Sequence, residues 1–403
     1  MAADLGMTAT TRSRWVFLAP AAVLVVLALC LRAPFSAVGP ILDELGAELS
    51  LSTGALAVVT ALPLVCFGLV SPFAPALAAR MGVHRALVVG AAVLAGGIGL
   101  RMAGAAGLVT GTVVLTGGIA LVNVLLPGAA RAEYGRRSAV VVGLTTASMA
   151  LSAAAGAGLS QPLAALGGSA RAGLLLWAVP VLAALAAVAV LARARRGVPV
   201  PTATAPGRRT AMLRDPVAVA VTLYFGLQAL SFYAMLTWLP DILESEAGYS
   251  PVAAGGLVAA AAFLGVPASL VVPPLVARRP DQAGWAVALA VPTAVAIVGL
   301  LAAPSAAPPL WVLLYGLGTG AAFPLSMTLV LQRSRDVAQT GRLSAGAQSI
   351  GYLIAAAGPL AVGLLHEATG GWTAGLVLLL AVLIAQAVVG ALAGRDRLVS
   401  ASA

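Results

Sequence analysis

The sequence predicts an all-α membrane protein of twelve transmembrane helices, arranged as two six-helix halves that repeat in parallel. An apolar composition, twelve long apolar segments and an internal repeat lead to this fold class. Hydrophobic residues make up 61% of the 403 residues and charged residues only 9%. A soluble domain carries about 25% charged residues, so this composition excludes an ordinary soluble globule and indicates a polytopic membrane protein.

Twelve apolar stretches, separated by charged or Gly/Pro-rich breaks, are long enough to cross a bilayer. A spanning helix requires roughly 20 predominantly apolar residues. The predicted spans are 15–40, 52–79, 84–104, 107–130, 138–164, 171–194, 214–239, 250–277, 284–303, 309–332, 342–366 and 372–394.

The loops on the two sides of these spans differ in charge. Both chain ends and the even-numbered loops hold 20 of the 23 arginines, whereas the odd-numbered loops hold acids such as Asp43, Glu44 and Glu48. Arginine is enriched in cytoplasmic loops, so both termini and the central loop are predicted to be cytoplasmic, in a multi-pass inner-membrane protein. The net charge of +10 is divided among these clusters, so we expect the lipid bilayer as partner and no nucleic acid.

Several stretches recur at an offset of about 200 residues. "GPILDELGAEL" from Gly39 is similar to "LPDILESEAGY" from Leu239, and "PALAAR" is similar to "PPLVAR". Six helices per repeat keep both halves in the same orientation. The predicted organisation is a cytoplasmic N-terminus 1–14, a first half 15–194, a linker 195–213, a second half 214–394 and a tail 395–403.

A few polar side chains lie within the apolar spans. Lipid offers them no hydrogen-bond partner, so we expect them to face the bundle interior or a watery cavity. On the seventh span, Gln228, Ser231, Met235 and Trp238 recur at helical intervals and define one face. The candidate cavity residues are Arg32, Asn123, Gln228, Ser231, Tyr233, Trp238, Gln348 and Tyr352. The alternative for each amide is that it only ties helices together. The small residues of "SAAAGAGLS" allow close helix approach and require no further role.

Arg32 is the exceptional residue, because its guanidinium cannot lose its charge. Its functional interpretation is a fixed positive charge in the cavity, aimed at an anionic solute. The structural alternatives are snorkelling outward and pairing with Asp43 or Glu44 over a kink. Arg101, near the outer end of the third span, is expected to snorkel to the headgroups.

The sequence lacks the residue sets expected of an enzyme, an ATP-binding protein or a metalloprotein. All 13 acids fall in predicted loops, tails or helix ends, and no lysine is present to complete a phosphate-binding loop. No nucleophile, base and acid form a set, so we expect no enzyme. Cys30 and Cys66 form no ligand or redox spacing, and no metal or other cofactor is predicted.

Several motifs resemble a known family. "PALAARMGVHRAL" resembles the major facilitator signature between the second and third helices and keeps Arg80, Gly82 and Arg85, although Ala79 replaces its usual acid. "LRAPFSAVGPILDEL", "GGIALVNVLLPGAARAEYG", "GLQALSFYAMLTWLPDIL" and "LSAGAQSIGYLIAAAGPLAVGLLHEATGGW" look like the cyanate-permease and 2-nitroimidazole-transporter group of that superfamily. The resemblance covers nearly the whole chain.

The resemblance implies a secondary transporter of a small, planar, polar or anionic solute, with Arg80, Gly82 and Arg85 in a cytoplasmic gate loop. Tyr233 is included among the cavity residues mainly on the family pattern. A broad-specificity drug exporter of the same fold is the alternative, and a transporter-like solute sensor is a further one. No obligatory protein partner is indicated.

The topology is directly testable. A reporter that works only in the cytoplasm should be active when fused at Ala203 or Ala403 and inactive when inserted at Gly46, because Gly46 lies among the acids of an odd-numbered loop. Activity at Gly46 would contradict the twelve-helix assignment.

Overall fold

The computed structural model of the protein describes residues 9–51, 53–195 and 214–400, and within these ranges the chain is helical with no β-strand. Twelve spans, labelled α1 to α12, are long and apolar enough to cross a bilayer, as the sequence predicts. In chain order they are Leu18–Ile41, Leu62–Met81, Val83–Leu100, Gly104–Tyr134, Ser138–Gly167, Ala170–Ala194, Pro216–Ala247, Val252–Val276, Ala283–Ala302, Pro308–Gln332, Val337–Thr369 and Thr373–Ala393.

Three of the spans are built from more than one helix. Proline lies in the first turn of the later piece in α1 and α2, where its missing N–H costs no hydrogen bond. The pieces are Ala9–Leu29, Ala33–Ser36 and the 3₁₀ turn Gly39–Ile41 in α1, then Thr53–Val70, the 3₁₀ turn Ser71–Phe73 and Ala74–Met81 in α2, and Ala170–Leu176 and Ala178–Ala194 in α6. A short helix, Leu42–Leu49, joins α1 to α2.

The observed helices of α4, α7 and α11 run past the predicted spans, and the span of α2 begins at Leu62, within a helix that starts at Thr53. The helix of α7 continues through Asp241, Glu244 and Glu246, which the sequence placed in a loop, and ends at Gly248 in the left-handed region. At its start, the Asp215 carboxylate accepts hydrogen bonds from the amides of Val217 and Ala218. Such capping satisfies amides that have no partner inside the helix.

The segment after α12 lies against the loop between α10 and α11. The Val399 amide donates to the Arg333 carbonyl, and the Ser400 amide donates to the Asp215 carboxylate. Partial burial tends to raise the pKa of Asp215, but hydrogen bonds from Ser400, Ala218 and Val217 outweigh it and hold that pKa below its ordinary value. Of the predicted linker, only Arg195 lies within the described residues, and the bounds of the predicted halves and tail stay predictions.

The two six-helix halves contact each other mainly on one side, which we call the linker side because α6 ends and α7 begins there. Among the described residues, hydrogen bonds between the halves run from the level of Arg32 toward this side. Ser344 of α11 donates to the Val124 carbonyl of α4, and Ser349 donates to the Gly68 carbonyl of α2. α11 therefore closes the linker side against the first half.

Arg131, near the end of α4, makes the most extensive of these contacts. Its Nη1 donates to the Leu331 carbonyl at 2.5 Å and to Thr340 at 3.3 Å, and its Nη2 donates to the Arg335 carbonyl at 3.0 Å. All three acceptors belong to the second half: Leu331 is near the end of α10, Arg335 lies in the loop that follows, and Thr340 is near the start of α11. A cation bound to two carbonyl oxygens and a hydroxyl thus holds the two halves together here, and among the described residues it forms no salt bridge with a carboxylate.

Replacing Arg131 should loosen this closure. Hydrogen bonds to charged groups contribute about 1.5–3 kcal/mol, so Arg131→Gln is expected to expose the interface about tenfold more often. A Ser344→Cys reporter, in a background without Cys30 and Cys66, would measure this as the rate of modification by an impermeant thiol reagent applied from the linker side.

Arg80→Gln is the matched comparison, because Arg80 is exposed on the same side and makes no hydrogen bond to the second half within the described part of the chain. It should label at the parental rate. Faster labelling in Arg80→Gln, with no change in Arg131→Gln, would contradict the assignment of Arg131 as the residue that holds the halves closed on the linker side.

Candidate functional site

Arg32 lies where α1 is interrupted and reaches across to the second half. Its Nη1 donates to the Tyr233 hydroxyl oxygen of α7 at 3.0 Å, and its Nη2 donates to the Tyr352 hydroxyl oxygen of α11 at 3.4 Å. The guanidinium carbon is also 5.8 Å from the centroid of the Phe67 ring of α2. One half-buried cation therefore contacts elements of both halves.

Aromatic rings surround this contact. The Tyr352 ring centroid is 5.0 Å from that of Phe67 and 5.1 Å from that of Phe225, the latter pair edge-on. Such packing of large rigid rings fixes the Tyr352 hydroxyl in place. The polar atoms of the site thus lie at the edge of an apolar, aromatic wall.

Amide groups continue the polar cluster toward the linker side. The Asn123 Nδ2 of α4 donates to the Gln348 Oε1 at 2.9 Å and to the Tyr352 oxygen at 3.2 Å. Gln348 in turn donates to Ser344 at 2.8 Å. Asn123 and Gln348 are 3% and 0% exposed, so these bonds join the halves within a buried region.

Several hydrogen-bond donors in this cluster have no acceptor within the described part of the chain. The Tyr352 oxygen already accepts from Arg32 and Asn123, and the Tyr233 oxygen accepts from Arg32. Their O–H groups, together with the remaining guanidinium N–H groups of Arg32, have no acceptor among the described residues. A ligand that matches this arrangement must be rich in acceptors.

Arg32 also lacks a counter-charge within the described part of the chain. Glu44, one of the two acids considered for it, accepts instead from the side-chain amide of Gln161. The other, Asp43, has its side chain outside the described residues. A charge inside a membrane bundle is costly without a partner, so the arrangement favours a ligand that brings negative charge.

A small cavity adjoins the cluster on the linker side of Asn123. It is lined by Asn123, Leu126, Pro127, Val142, Thr145, Thr146, Met149, Phe323 and Met327. α4 and α5 of the first half and α10 of the second half enclose it. Among the described residues, no group of three or more His, Cys, Asp or Glu side chains could hold a metal ion.

A family model described as Major Facilitator Superfamily matches residues 24–359. The chain belongs to the major facilitator superfamily. It is 35% identical over 376 residues to the 2-nitroimidazole transporter of Escherichia coli (strain K12), with 93% of this chain and 95% of that protein covered.

A second relative and a solved structure agree with this membership. The cyanate transport protein CynX of Escherichia coli (strain K12) is 29% identical over 352 residues, covering 87% of this chain and 90% of that protein. The proton:xylose symporter XylE superposes with a TM-score of 0.73 at 13% identity, covering 93% of this chain and 95% of that one, which supports the fold.

In this major facilitator chain, the structure brings together five of the predicted site residues: Arg32, Asn123, Tyr233, Gln348 and Tyr352. The predicted face of α7 lies elsewhere. Met235 is fully buried in the core of the second half, and the Trp238 indole N–H donates to the Pro359 carbonyl. The Ser231 carbonyl accepts from Tyr315, and the Ser231 hydroxyl has no hydrogen-bond partner among the described residues. Gln228 is buried. The opposite face, which carries Tyr233, meets Arg32.

The predicted gate residues lie on the linker side. Gly82 separates the last helix of α2 from α3 with a φ of 85°, which favours glycine because other side chains clash there. Arg80 and Arg85 are exposed. Their part in a gate stays a prediction. On this side, Arg131 makes hydrogen bonds to the other half.

The expectation for Arg101 is wrong. The side chain is 1% exposed and does not reach outward. Its Nη1 donates to the Pro34 carbonyl at 2.6 Å and its Nε donates to Thr112 at 3.2 Å. The sequence could not predict this inward direction. The distance of a residue from a helix end does not determine which way its long side chain points.

The amide pair between the halves can be tested by a double-mutant cycle. Asn123→Ala and Gln348→Ala should each lower the melting temperature of the detergent-solubilised protein, because each leaves a buried polar partner unsatisfied. The double variant should lose less than the sum, with a coupling of about 1 kcal/mol. Additive losses would show that the Asn123–Gln348 bond does not stabilise the described conformation.

Proposed function

We propose that the chain is a secondary transporter that moves a small planar solute, anionic or rich in polar acceptors, across the cytoplasmic membrane by alternating access. The observation that carries this proposal is the unused donor capacity around Arg32, which lacks an acid partner among the described residues. The proposed binding residues are Arg32, Tyr233, Tyr352, Asn123 and Gln348, with Gln228, Ser231 and Trp238 as less direct candidates.

The chemistry of Arg32 suits such a solute. A guanidinium is planar, stays charged at all accessible pH values and presents N–H groups as a fork that matches two neighbouring oxygens. The aromatic wall formed by Phe67, Phe225 and Tyr352 suits a flat molecule. Because the Arg32 guanidinium does not deprotonate at accessible pH, it would attract the solute without itself carrying protons across the membrane.

The names of the relatives are consistent with this class. A nitro group offers two coplanar oxygens, and cyanate is an anion with acceptor atoms at both ends. The described conformation, closed on the linker side and with Arg32 half-buried, would admit solute from the opposite side. A solute that draws Arg32 away from Tyr233 and Tyr352 would weaken contacts between the halves and so favour their rearrangement.

The loop charges predict that the linker side is cytoplasmic, and with that orientation the membrane potential bears on the direction of transport. Moving one negative charge inward against 100 mV costs about 2.3 kcal/mol. An anionic solute would therefore enter only by exchange or with a co-transported cation, and would leave readily. Proton coupling would not use a deep acid, since the acids of the described spans, such as Glu133 of α4 and Asp241 of α7, lie near a span end.

Removing the charge should abolish solute binding. Arg32→Gln is expected to remain folded and membrane-inserted, with binding and flux of 2-nitroimidazole and cyanate lost by at least about tenfold, because hydrogen bonds to a charged group contribute 1.5–3 kcal/mol. Arg32→Lys should rescue poorly, since an ammonium cannot reproduce the planar fork. Proteoliposome flux and thermal-shift binding would measure both.

Arg278→Gln is the matched control, because Arg278 is an exposed arginine at the end of α8. It should behave like the parent. Unchanged transport in Arg32→Gln would make Arg32 structural and contradict the proposed site. Transport of several unrelated bulky drugs, with neither probe bound, would favour a drug exporter, and binding without flux would favour a sensor.

A further inference from the structure

Arg32 lies in the interrupted part of α1. Side chains from two other parts of the first half make hydrogen bonds to the backbone of this interrupted part. We propose that Ser152 of α5 and Arg101, directly after α3, are positioning residues, which fix this interruption and thereby aim the Arg32 guanidinium at Tyr233 and Tyr352. The proposal concerns geometry within the first half. Its connection to solute affinity rests on the proposed function.

Ser152 makes the contact nearest to Arg32. Its hydroxyl oxygen accepts from the Ala33 amide at 2.8 Å and from the Arg32 amide at 3.2 Å. Both amides precede or begin the short helix Ala33–Ser36 and cannot donate within the helix that ends at Leu29. Ser152 is 1% exposed, so water would not easily replace it.

The same face of α5 continues this contact along the interruption. Ser152, Gly156 and Ser160 follow each other at intervals of four residues, which places them one turn apart. A Cβ on Gly156 would lie 2.6 Å from the Ala33 carbonyl oxygen, so glycine permits the close approach. The Ser160 hydroxyl lies 2.9 Å from the Ala37 carbonyl and 2.5 Å from the Gly156 carbonyl of its own helix, so the two carbonyls share its one donor hydrogen. The serines of "SAAAGAGLS" thus bind backbone groups of α1, a pairing that the sequence alone does not predict.

Arg101 holds the interruption through a carbonyl. Its Nη1 donates to the Pro34 carbonyl, and Thr112 of α4 accepts from its Nε. Gly111 of α4 leaves room for it, because a Cβ there would lie 2.8 Å from the Arg101 Cγ. Arg101 makes no ion pair within the described part of the chain, so its charge is directed at backbone and hydroxyl oxygens alone.

These contacts act on the backbone around Arg32 and not on its guanidinium, so their effect can be separated from ordinary packing. A double-mutant cycle joins Ser152→Ala to Tyr352→Phe, which removes a hydroxyl that accepts from Arg32. If Ser152 aims Arg32 at Tyr352, the melting temperature of the double variant should fall by less than the sum of the single shifts. Additive shifts would overturn the proposal, and this outcome requires no solute.

Ser148→Ala is the matched control. Ser148 lies one turn earlier on α5, and its hydroxyl donates to the Leu144 carbonyl of its own helix. Its shift should add to that of Tyr352→Phe. Arg101→Lys and Arg101→Gln provide a second cycle with Tyr352→Phe if Ser152→Ala does not fold. Lysine keeps one donor for the Pro34 carbonyl, so coupling with Tyr352→Phe should be larger for glutamine than for lysine.

Transport kinetics provide the second readout. With 2-nitroimidazole or cyanate as probe, Ser152→Ala should raise KM by roughly tenfold and leave the maximal rate near the parental value, because the guanidinium is present but misaimed. Ser152→Thr, which keeps the hydroxyl acceptor, should restore KM. Parental KM in Ser152→Ala would overturn the proposal. A parent chain that binds neither probe would count against the proposed function, while the stability cycle would still decide the positioning.

Discussion

An arginine held between the two halves without a carboxylate partner among the described residues is the contact on which the rest of this structure depends. Arg32 extends from the first half to Tyr233 and Tyr352 of the second, and Asn123 and Gln348 extend the same contact toward the linker side. Each acceptor of the guanidinium is a neutral hydroxyl. The site therefore has surplus positive charge and surplus donors, and only a solute rich in acceptors would complement both.

This charge requires an unusual backbone around it. A continuous α1 would leave no free amides for Ser152 and no free carbonyl for Arg101. The interruption leaves both kinds of group free. The side chains of Ser152 and Arg101 then make the hydrogen bonds that the helix no longer makes, in place of water. Arg131 applies related chemistry at the linker side, where it binds carbonyl oxygens of the second half. Cation-to-carbonyl contacts thus support both the site and the closure next to it.

Hydropathy and loop charge were enough to predict the twelve spans, because bilayer thickness and helix rise leave few alternatives. Arg32, Asn123, Gln348 and Tyr352 stood out since polar groups in apolar spans require partners. Helical spacing showed which residues of α7 share a face but not which face turns to the centre, so Ser231 and Trp238 were preferred to Tyr233. The role of Ser152 could not be predicted and the expectation for Arg101 was wrong, because both bind backbone groups that only the tertiary fold brings near.

The most direct test of the central claim is the position of a bound solute, determined by crystallography or electron cryomicroscopy of the chain with 2-nitroimidazole or cyanate. The account predicts an acceptor atom of the solute within hydrogen-bond distance of an Arg32 guanidinium nitrogen, with its flat face or its long axis against the ring of Phe67 or Tyr352. A solute bound elsewhere, with Arg32 still donating to both tyrosine oxygens, would contradict it.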